Sequence, residues 1–315
     1  MLIVAGKGGV GKTTVSAAVA CMAAEAGLST LIVEVEGKSG LAAAFGHAQP
    51  LTYQEVTLAP GGGPDGEGDV RARTLTPDDA LIEYLRDHGM RRVSKRLAAA
   101  GLVEVIATAV PGAKDILVLG KVKQLERDGA ADLIVLDAPA AGHAVSFLMS
   151  ASGLLDAVRA GPIRAQARDV VDVLTDPARC QVLLVTLPEE TPVNEVVETA
   201  EKLRDRVGVA LAGVVVNGRY PALAGLDVDP EAAAETTGVP LEPGEAGYLR
   251  AAADFRLRRQ ALQASQVERL ARALPLPRVE LPFLFTTEVG PTEVDHLATA
   301  LATSVARLPE AGAAP

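Results

Sequence analysis

The sequence predicts an α/β fold in which a mainly parallel sheet is sandwiched between helices. Two observations carry this prediction. Short apolar segments alternate with longer segments of helical periodicity along most of the 315 residues, and such alternation is typical of parallel sheets covered on both faces. The hydrophobic content of 49% is also ample for a large core. We therefore expect a single domain that spans residues 1–315.

Eight strands are predicted along the chain. The first is the short apolar segment at residues 1–5, which precedes a helix predicted over Lys12–Ala26. Runs of apolar residues predict the other strands, which are Thr30–Val35, Tyr53–Leu58, Asp69–Leu75, Asp132–Leu136, Gln181–Thr186, Val209–Val216 and Leu276–Leu281. Helical periodicity predicts the later helices, which are Pro192–Arg206, Leu249–Leu274 and Pro291–Leu308. The segment Gly218–Gly247 is interpreted as a loop.

A helical block interrupts this alternation of strands and helices. Apolar residues recur at helical spacing across residues 77–128 and again across residues 145–176, where Gly161 and Pro162 break the pattern. We interpret both stretches, approximately 77–128 and 145–176, as a helical insertion. They are not expected to form a second independent domain.

A glycine-rich turn follows the first strand directly. Residues 6–13 are Gly-Lys-Gly-Gly-Val-Gly-Lys-Thr, and their strand–loop–helix context indicates the phosphate-binding loop of a P-loop NTPase. Glycines let the main-chain N–H groups point inward, and the helix start adds partial positive charge. Lys12 is expected to reach the β- and γ-phosphates of ATP, and the Thr13 hydroxyl to reach Mg²⁺. The predicted nucleotide-binding residues of this loop are Gly8, Gly9, Val10, Gly11, Lys12, Thr13 and Thr14.

An aspartate follows the apolar strand predicted over residues 132–136. Ligand groups gather at the carboxyl ends of the strands in parallel α/β sheets. Asp137 therefore has the form of a Walker B acid, which organises Mg²⁺ directly or through water. The same carboxylate could instead cap the next helix. Given the phosphate loop, we favour a metal role for Asp137 together with Thr13.

The composition narrows the class of protein. With 30 basic and 40 acidic residues the net charge is −10, which does not favour a nucleic-acid surface. The two cysteines, Cys21 and Cys180, form neither a disulfide framework nor a C-x-x-C metal motif. The most apolar later stretch, residues 97–110, is too short to span a bilayer. We expect a cytoplasmic protein that uses ATP and Mg²⁺.

The loop contains a second lysine, Lys7, although Lys12 alone is sufficient to bind phosphate. With Lys7 as its first variable residue, the loop resembles the deviant Walker A loop of the SIMIBI class of ATPases. That resemblance implies that Lys7 reaches across a dimer to the partner's nucleotide and neutralises charge there, as an arginine finger does in trans. The alternative is that Lys7 is a solvated residue on a turn.

Within that class, the chain resembles the family of the arsenite-pump ATPase ArsA and the tail-anchored-protein-targeting ATPases, and in particular its short actinobacterial-type branch. The resemblance covers almost the whole chain, because further segments match in order. Residues 36–45 resemble switch I, residues 137–143 resemble switch II, and residues 214–217 resemble the strand whose asparagine reads adenine. Residues 281–284 resemble the loop that covers adenine. The resemblance implies that Asn217, Pro282 and Phe283 bind the base.

Switch I departs from the family pattern. Glu36 stands where the family has an aspartate that positions the attacking water, and it is one methylene longer. The resemblance implies a catalytic set of Lys7, Lys12, Glu36 and Asp137. The departure at Glu36 predicts hydrolysis that is slow or activated by a partner. Cys21 and Cys180 are too few for the arsenite site of the pump, and the zinc-bridging C-x-x-C is absent. We therefore expect neither an arsenite site nor a zinc site.

The resemblance implies an ATPase that dimerises around its nucleotide and couples ATP binding and hydrolysis to a client or a membrane-protein partner. The dimer would be a homodimer or a heterodimer with a paralogous ArsA-like subunit. The changed switch I motivates an alternative, in which the chain is a nucleotide-regulated, weakly active subunit that pairs with a catalytic paralogue.

Overall fold

The central feature of the computed structural model is an eight-stranded sheet. The structure describes residues 1–35, 40–62, 68–87, 89–90, 92, 112–139, 141–159 and 161–308. The strands, in chain order, are β1 Leu2–Gly6, β2 Thr30–Val35, β3 Val56–Ala59, β4 Val70–Leu75, β5 Leu133–Asp137, β6 Gln181–Thr186, β7 Ala210–Arg219 and β8 Arg278–Pro282. Their order across the sheet is β3-β4-β2-β5-β1-β6-β7-β8. Neighbouring strands in this order run parallel, except that β3 is antiparallel to β4, which confirms the predicted mainly parallel sheet.

Helices connect most of the strands. In chain order they are α1 Lys12–Glu25, α2 Gly40–Ala44, α3 Pro77–Asp87, α4 Ala113–Arg127, α5 Ala141–Ala157, α6 Pro162–Thr175, α7 Glu190–Lys202, α8 Pro230–Thr237, α9 Glu245–Ala273 and α10 Pro291–Val305. A π-helical turn, Leu203–Val207, extends α7. At the predicted break, Gly161 lies between α5 and α6, and Pro162 is the first residue of α6. Among the described residues, no helix combines the length and the apolar character needed to cross a bilayer.

Helices cover both faces of the sheet. On one face, side chains such as Val4 and Ile32 join α1 and α10 in a single apolar cluster. On the other face, Ile3 and Leu31 pack with α4, α5, α6 and α7. These residues precede Val4 and Ile32 and lie on the opposite face, because successive side chains of a strand alternate between faces. Burial of one large side chain of this kind contributes about 1.5–3 kcal/mol. Burial on both faces explains why the strands are continuous apolar runs.

The helical block forms one group of packed helices. Helix α3 packs against α4, and α4 packs against both α5 and α6. The two stretches predicted at residues 77–128 and 145–176 therefore meet in space, although residues 88, 91 and 93–111 lie outside the described part of the chain. That the chain is one domain with a helical insertion stays a prediction.

The structure corrects the interpretation of residues 218–247 as a loop, because α8 lies within them. The Asp229 carboxylate caps α8 by accepting hydrogen bonds from the N–H groups of Glu231 at 3.0 Å and Ala232 at 3.2 Å. No residue of α8 is buried. The helix therefore lacks the apolar periodicity by which a sequence reveals a helix.

The order of the strands brings distant parts of the sequence to one edge of the sheet. Strand β1 lies between β5 and β6, and β2 lies beyond β5. Asp137, the last residue of β5, is in register with Val4 of β1 and with Glu34 of β2. The loop after β1 therefore begins beside the carboxyl ends of β5 and β2, where parallel sheets place their ligands.

Candidate functional site

The loop between β1 and α1 has a backbone that only glycine accommodates well. Gly9 and Gly11 have φ angles of 83° and 88°, in the left-handed region. A Cβ atom on Gly6 would lie 2.3 Å from the carbonyl oxygen of Val185 on β6. The glycines thus let the main chain turn sharply and lie flat against the sheet. Helix α1 starts at Lys12, so its free N–H groups open toward the loop.

Lys12 is a buried cation at the start of α1. Its side chain is largely covered, with 7% of the residue exposed. The Nζ atom donates a hydrogen bond to the main-chain carbonyl of Lys7 at 3.1 Å. The ammonium therefore lies across the loop, where it faces any anion held there. A phosphate in the loop would meet this charge and the partial positive charge of the helix start together.

Thr13 and Asp137 meet directly. The Thr13 hydroxyl donates a hydrogen bond to Oδ2 of Asp137 at 2.7 Å, and Asp137 is fully buried. Hydroxyl and carboxylate oxygens are the hard ligands that Mg²⁺ accepts, usually with several waters and a nucleotide phosphate. The donor set therefore fits Mg²⁺ at the position predicted from the sequence. Asp137 is the last residue of β5.

Lys7 turns away from the loop. Its Nζ lies 2.8 Å from Oε1 of Glu195 on α7, and the two side chains are 38% and 39% exposed. The main chain of Lys7 serves the loop by accepting the hydrogen bond from Lys12, while its side chain points to the surface. The two lysines of one loop therefore have different environments, one buried and one accessible.

Asn217 ties the sheet to the loop. Its Nδ2 donates a hydrogen bond to the carbonyl oxygen of Val10 at 2.9 Å. Asn217 lies within β7, which runs on to Arg219. A Cβ atom on Gly11 would lie only 2.4 Å from the same Nδ2 atom. The glycine thus provides the space in which the asparagine reaches the loop.

We expect a Gly11→Ala variant to lose both stability and ATP affinity. An alanine at φ 88° costs about 1–2 kcal/mol, and its methyl group would also displace Asn217 from Val10. Gly27→Ala is a matched control, because Gly27 has the same φ of 88° with no atom within 4 Å of its Cβ position. Urea unfolding and ATP titration measure the two effects. Equal losses in both variants would show that the contact with Asn217 has no influence.

An aromatic cluster lies at the carboxyl ends of β7 and β8. The ring centroids of Tyr220 and Phe283 are 4.9 Å apart, and Phe285 lies 4.9 Å from Phe283 and 5.4 Å from Tyr220. The Arg256 guanidinium is 5.1 Å from the Phe285 ring and 5.6 Å from the Tyr220 ring. Phe283 is 40% exposed and Phe285 63% exposed. The cluster offers open aromatic surface next to Gly218, one residue beyond Asn217.

A buried glutamine fixes the chain beyond Asn217. Gln263 on α9 is 1% exposed. Its Nε2 donates to the carbonyl of Gly218 at 3.0 Å, and its Oε1 accepts from the N–H of Tyr220 at 2.8 Å. Both polar ends of the amide are thus satisfied by main-chain groups. Helix α9 therefore holds the segment that carries the aromatic cluster.

The two cysteines are buried and lie apart from this edge. Burial raises the pKa of the Cys21 thiol to about 12 and that of the Cys180 thiol to about 12. Thiolates bind soft metals, so protonated buried thiols are poor ligands. Within the described ranges, no group of three or more histidine, cysteine or acidic residues could hold a metal ion.

Most of the predicted site residues lie along this one edge. Lys12, Thr13 and Asp137 converge, while Gly9, Val10 and Gly11 shape the loop. Gly8 is exposed, Thr14 is half-buried, and Pro282 ends β8 beside Phe283. Glu36, the predicted water-positioning residue, lies outside the described residues. Sequence reasoning missed Glu195, Tyr220, Gln263 and Phe285, because no local motif links them to a loop that is distant in sequence.

Comparison with known proteins agrees with this geometry. The model of the ArsA family, described as anion-transporting ATPase, matches residues 1–161. ATPase BagA of Mycobacterium tuberculosis is 34% identical over 304 residues, which cover 89% of this chain and 86% of that protein. The arsenical pump-driving ATPase of Escherichia coli is 28% identical over 242 residues, covering 70% of this chain and 40% of that protein. ATPase get3 of Schizosaccharomyces japonicus is 26% identical over 147 residues, covering 47% and 42%.

The resemblance that the motifs carried is thereby confirmed. The family match includes the glycine-rich loop, Lys12, Thr13 and Asp137, and the BagA match extends over most of the chain. The eight-stranded, mainly parallel sheet flanked by helices is consistent with a P-loop ArsA-type fold. This chain belongs to the ArsA family of anion-transporting ATPases, and it is an ATP-binding ATPase.

Proposed function

We propose that this ATPase binds Mg-ATP, dimerises around it, and hydrolyses it in a site completed by the second chain. The observation that carries the proposal is the different environment of the two lysines in one loop. Lys12 is buried across the loop, whereas the Lys7 side chain is 38% exposed and forms an ion pair with Glu195. One lysine suffices for phosphate in the same chain, which leaves the other for the nucleotide of a second chain.

Within one chain, different residues bind the phosphates, the metal ion and the base of the nucleotide. The N–H groups of residues 8–14 and the Lys12 ammonium bind the phosphates. Thr13 and Asp137 hold Mg²⁺, which would supply a positive charge that polarises the terminal phosphate. Asn217, Pro282 and Phe283 hold the base, and the exposed ring of Phe283 provides a stacking surface. Glu36 orients the attacking water.

Lys7 needs little free energy to change partner. Its ion pair with Glu195 is more than a third exposed on both sides, and an exposed ion pair contributes about 0–1 kcal/mol. A triphosphate on a second chain carries more negative charge than one carboxylate. The ammonium therefore leaves Glu195 when the second nucleotide arrives, and it neutralises the charge that develops during phosphoryl transfer.

The proposal extends to what the ATPase cycle would drive. The Escherichia coli relative is named a pump-driving ATPase, so coupling to a membrane partner or another client is proposed here by analogy alone. A homodimer and a heterodimer with a paralogous subunit use the same contacts of Lys7. The ATP turnover of the isolated chain separates an active ATPase from a weakly active subunit. A weakly active subunit would hydrolyse ATP at a useful rate only after the paralogue is added.

We expect Mg²⁺ with a non-hydrolysable ATP analogue to convert the chain to a dimer, while Mg-ADP leaves it monomeric. A Glu195→Gln variant should form the homodimer at a concentration lower by up to about thirtyfold, since neither of the two freed Lys7 side chains gives up an ion pair worth about 0–1 kcal/mol. Light scattering after size exclusion measures both. The matched control is Glu198→Gln, which breaks an ion pair to Lys202 on the same helix.

The control variant should dimerise as the parent does. A chain that stays monomeric with the analogue at every concentration, alone and with a paralogue, would refute the dimer. If Glu195→Gln and Glu198→Gln dimerise alike, the ion pair of Lys7 has no influence on association.

A further inference from the structure

A buried carboxylate next to the metal-binding residues has no role in the function proposed so far. Glu34 is fully buried near the end of β2. Among the buried residues of the described part of the chain, Glu34 and Asp137 are the two carboxylates. Buried carboxylates are rare unless a cation or hydrogen-bond donors face them. Two of them side by side therefore need an explanation.

Strand register places Glu34 beside Asp137. The two residues are Cα partners in the parallel pair β2–β5, and partners on neighbouring strands point to the same face of a sheet. That face carries α1, because Ile32 and Val135, two residues before them, pack in the cluster that contains α1. The Glu34 and Asp137 side chains therefore share the face on which Thr13 meets Asp137.

A hydroxyl on the next strand orients Glu34. Thr74 of β4 donates a hydrogen bond from Oγ1 to Oε2 of Glu34 at 2.7 Å. Thr74 is in register with Glu34 and is itself buried. The arrangement mirrors the contact of Thr13 with Asp137, in which a hydroxyl also donates to one carboxylate oxygen. In both cases a threonine hydroxyl orients one oxygen of the carboxylate.

The buried arginine nearby lies on the other face. Arg73 precedes Thr74 in β4, so strand alternation turns its side chain away from Glu34. Its guanidinium lies 4.5 Å from the centroid of the Tyr53 ring and 3.5 Å from Glu55. Arg73 therefore lies on the face opposite to Glu34, whereas Glu34 shares its face with α1, which starts at the buried Lys12.

We infer that Glu34 is a positioning residue for Mg²⁺, and that it acts by accepting hydrogen bonds from water that the ion retains. Mg²⁺ keeps several of its waters in nucleotide sites, and residues that orient such ligands affect affinity strongly. Glu34 lies one strand further from the loop than Asp137, which suits a contact through water. The inference rests on the proposed function, because it requires Mg²⁺ beside Thr13 and Asp137.

The test measures how much MgCl₂ is needed for half-maximal binding of a fluorescent, non-hydrolysable ATP analogue. Glu34→Gln keeps the shape and removes the charge, and it should raise that concentration by about tenfold or more. Thr74→Val keeps the carboxylate and removes its orienting hydroxyl, so a smaller rise is expected. The thermal midpoint of the nucleotide-free protein is recorded for each variant, and Glu34→Gln should leave it unchanged or raise it.

A purely structural role predicts the opposite pair of results. In that case Glu34→Gln lowers the midpoint of the nucleotide-free protein and leaves the MgCl₂ dependence unchanged, which would overturn the inference. If Glu34→Gln does not fold, Glu34→Asp provides the test, since a shorter carboxylate should still raise the MgCl₂ requirement. A parent protein that binds the analogue equally well without MgCl₂ would instead refute the metal role in the proposed function.

Discussion

A Lys12→Ala variant should bind ATP about a hundredfold more weakly, or worse, while remaining folded. Removing one partner of a buried charge pair costs about 2–5 kcal/mol, and each 1.4 kcal/mol is tenfold in affinity. Lys12 is 7% exposed and lies across the loop, so its contact with phosphate is shielded from water. The helix start and the loop N–H groups remain and retain residual binding.

Titration with a fluorescent ATP analogue measures this loss. Lys123→Ala is the matched control, because Lys123 is also a buried lysine, but it pairs with Asp169 and Gln166 in the helical block. The control should lose stability and keep its affinity. If Lys12→Ala bound ATP as tightly as the parent, the assignment of residues 6–13 as the phosphate loop would be wrong.

A Lys7→Ala variant should keep its ATP affinity and lose turnover by about a thousandfold. A cation supplied by a second chain contributes about 10³–10⁵ to phosphoryl transfer. Within its own chain the Lys7 ammonium contacts Glu195 on α7, and its main-chain carbonyl, which accepts from Lys12, is retained in the variant. Binding and turnover are therefore expected to separate.

Mixing two inactive variants tests whether Lys7 acts in trans. In a mixed dimer of Lys7→Ala and Asp137→Asn chains, one site combines the intact Asp137 of the first chain with the intact Lys7 of the second. In an equal mixture about half of the dimers are mixed, and each mixed dimer has one of its two sites intact. Steady-state phosphate release should therefore recover to as much as about a quarter of the parent rate. Mixtures that stay as inactive as either variant alone would place Lys7 in its own site.

The fold could be predicted because it depends on patterns that local sequence carries. Buried parallel strands are continuous apolar runs, and glycine is required at Gly9 and Gly11 by their φ angles. The position of Asp137 at this edge was predictable, because the topology of parallel sheets places a residue at the end of a buried strand there. These signals need no knowledge of which strands are neighbours.

The contacts that surround the loop could not be predicted in this way. Glu195 contacts Lys7 across 188 positions of sequence. Gln263 donates a hydrogen bond to Gly218, but it lies on a mostly exposed helix whose sequence does not reveal which residues are buried. The partner of Glu34 depends on the order β4-β2-β5, which no single segment encodes. Helix α8 was missed because it buries no residue and therefore shows no apolar periodicity.

The central position of β1 has a consequence for the synthesis of the protein. Leu2 pairs with Val135 of β5 and with Gln181 of β6, so β1 is synthesised well before either of the strands with which it pairs. Until β5 and β6 have left the ribosome, the loop after β1 has no neighbouring strands to pack against, and we expect that the nascent chain does not bind ATP. Such long-range pairing folds slowly and exposes apolar strands to aggregation. ATP added during refolding should therefore stabilise the finished sheet without accelerating its first steps.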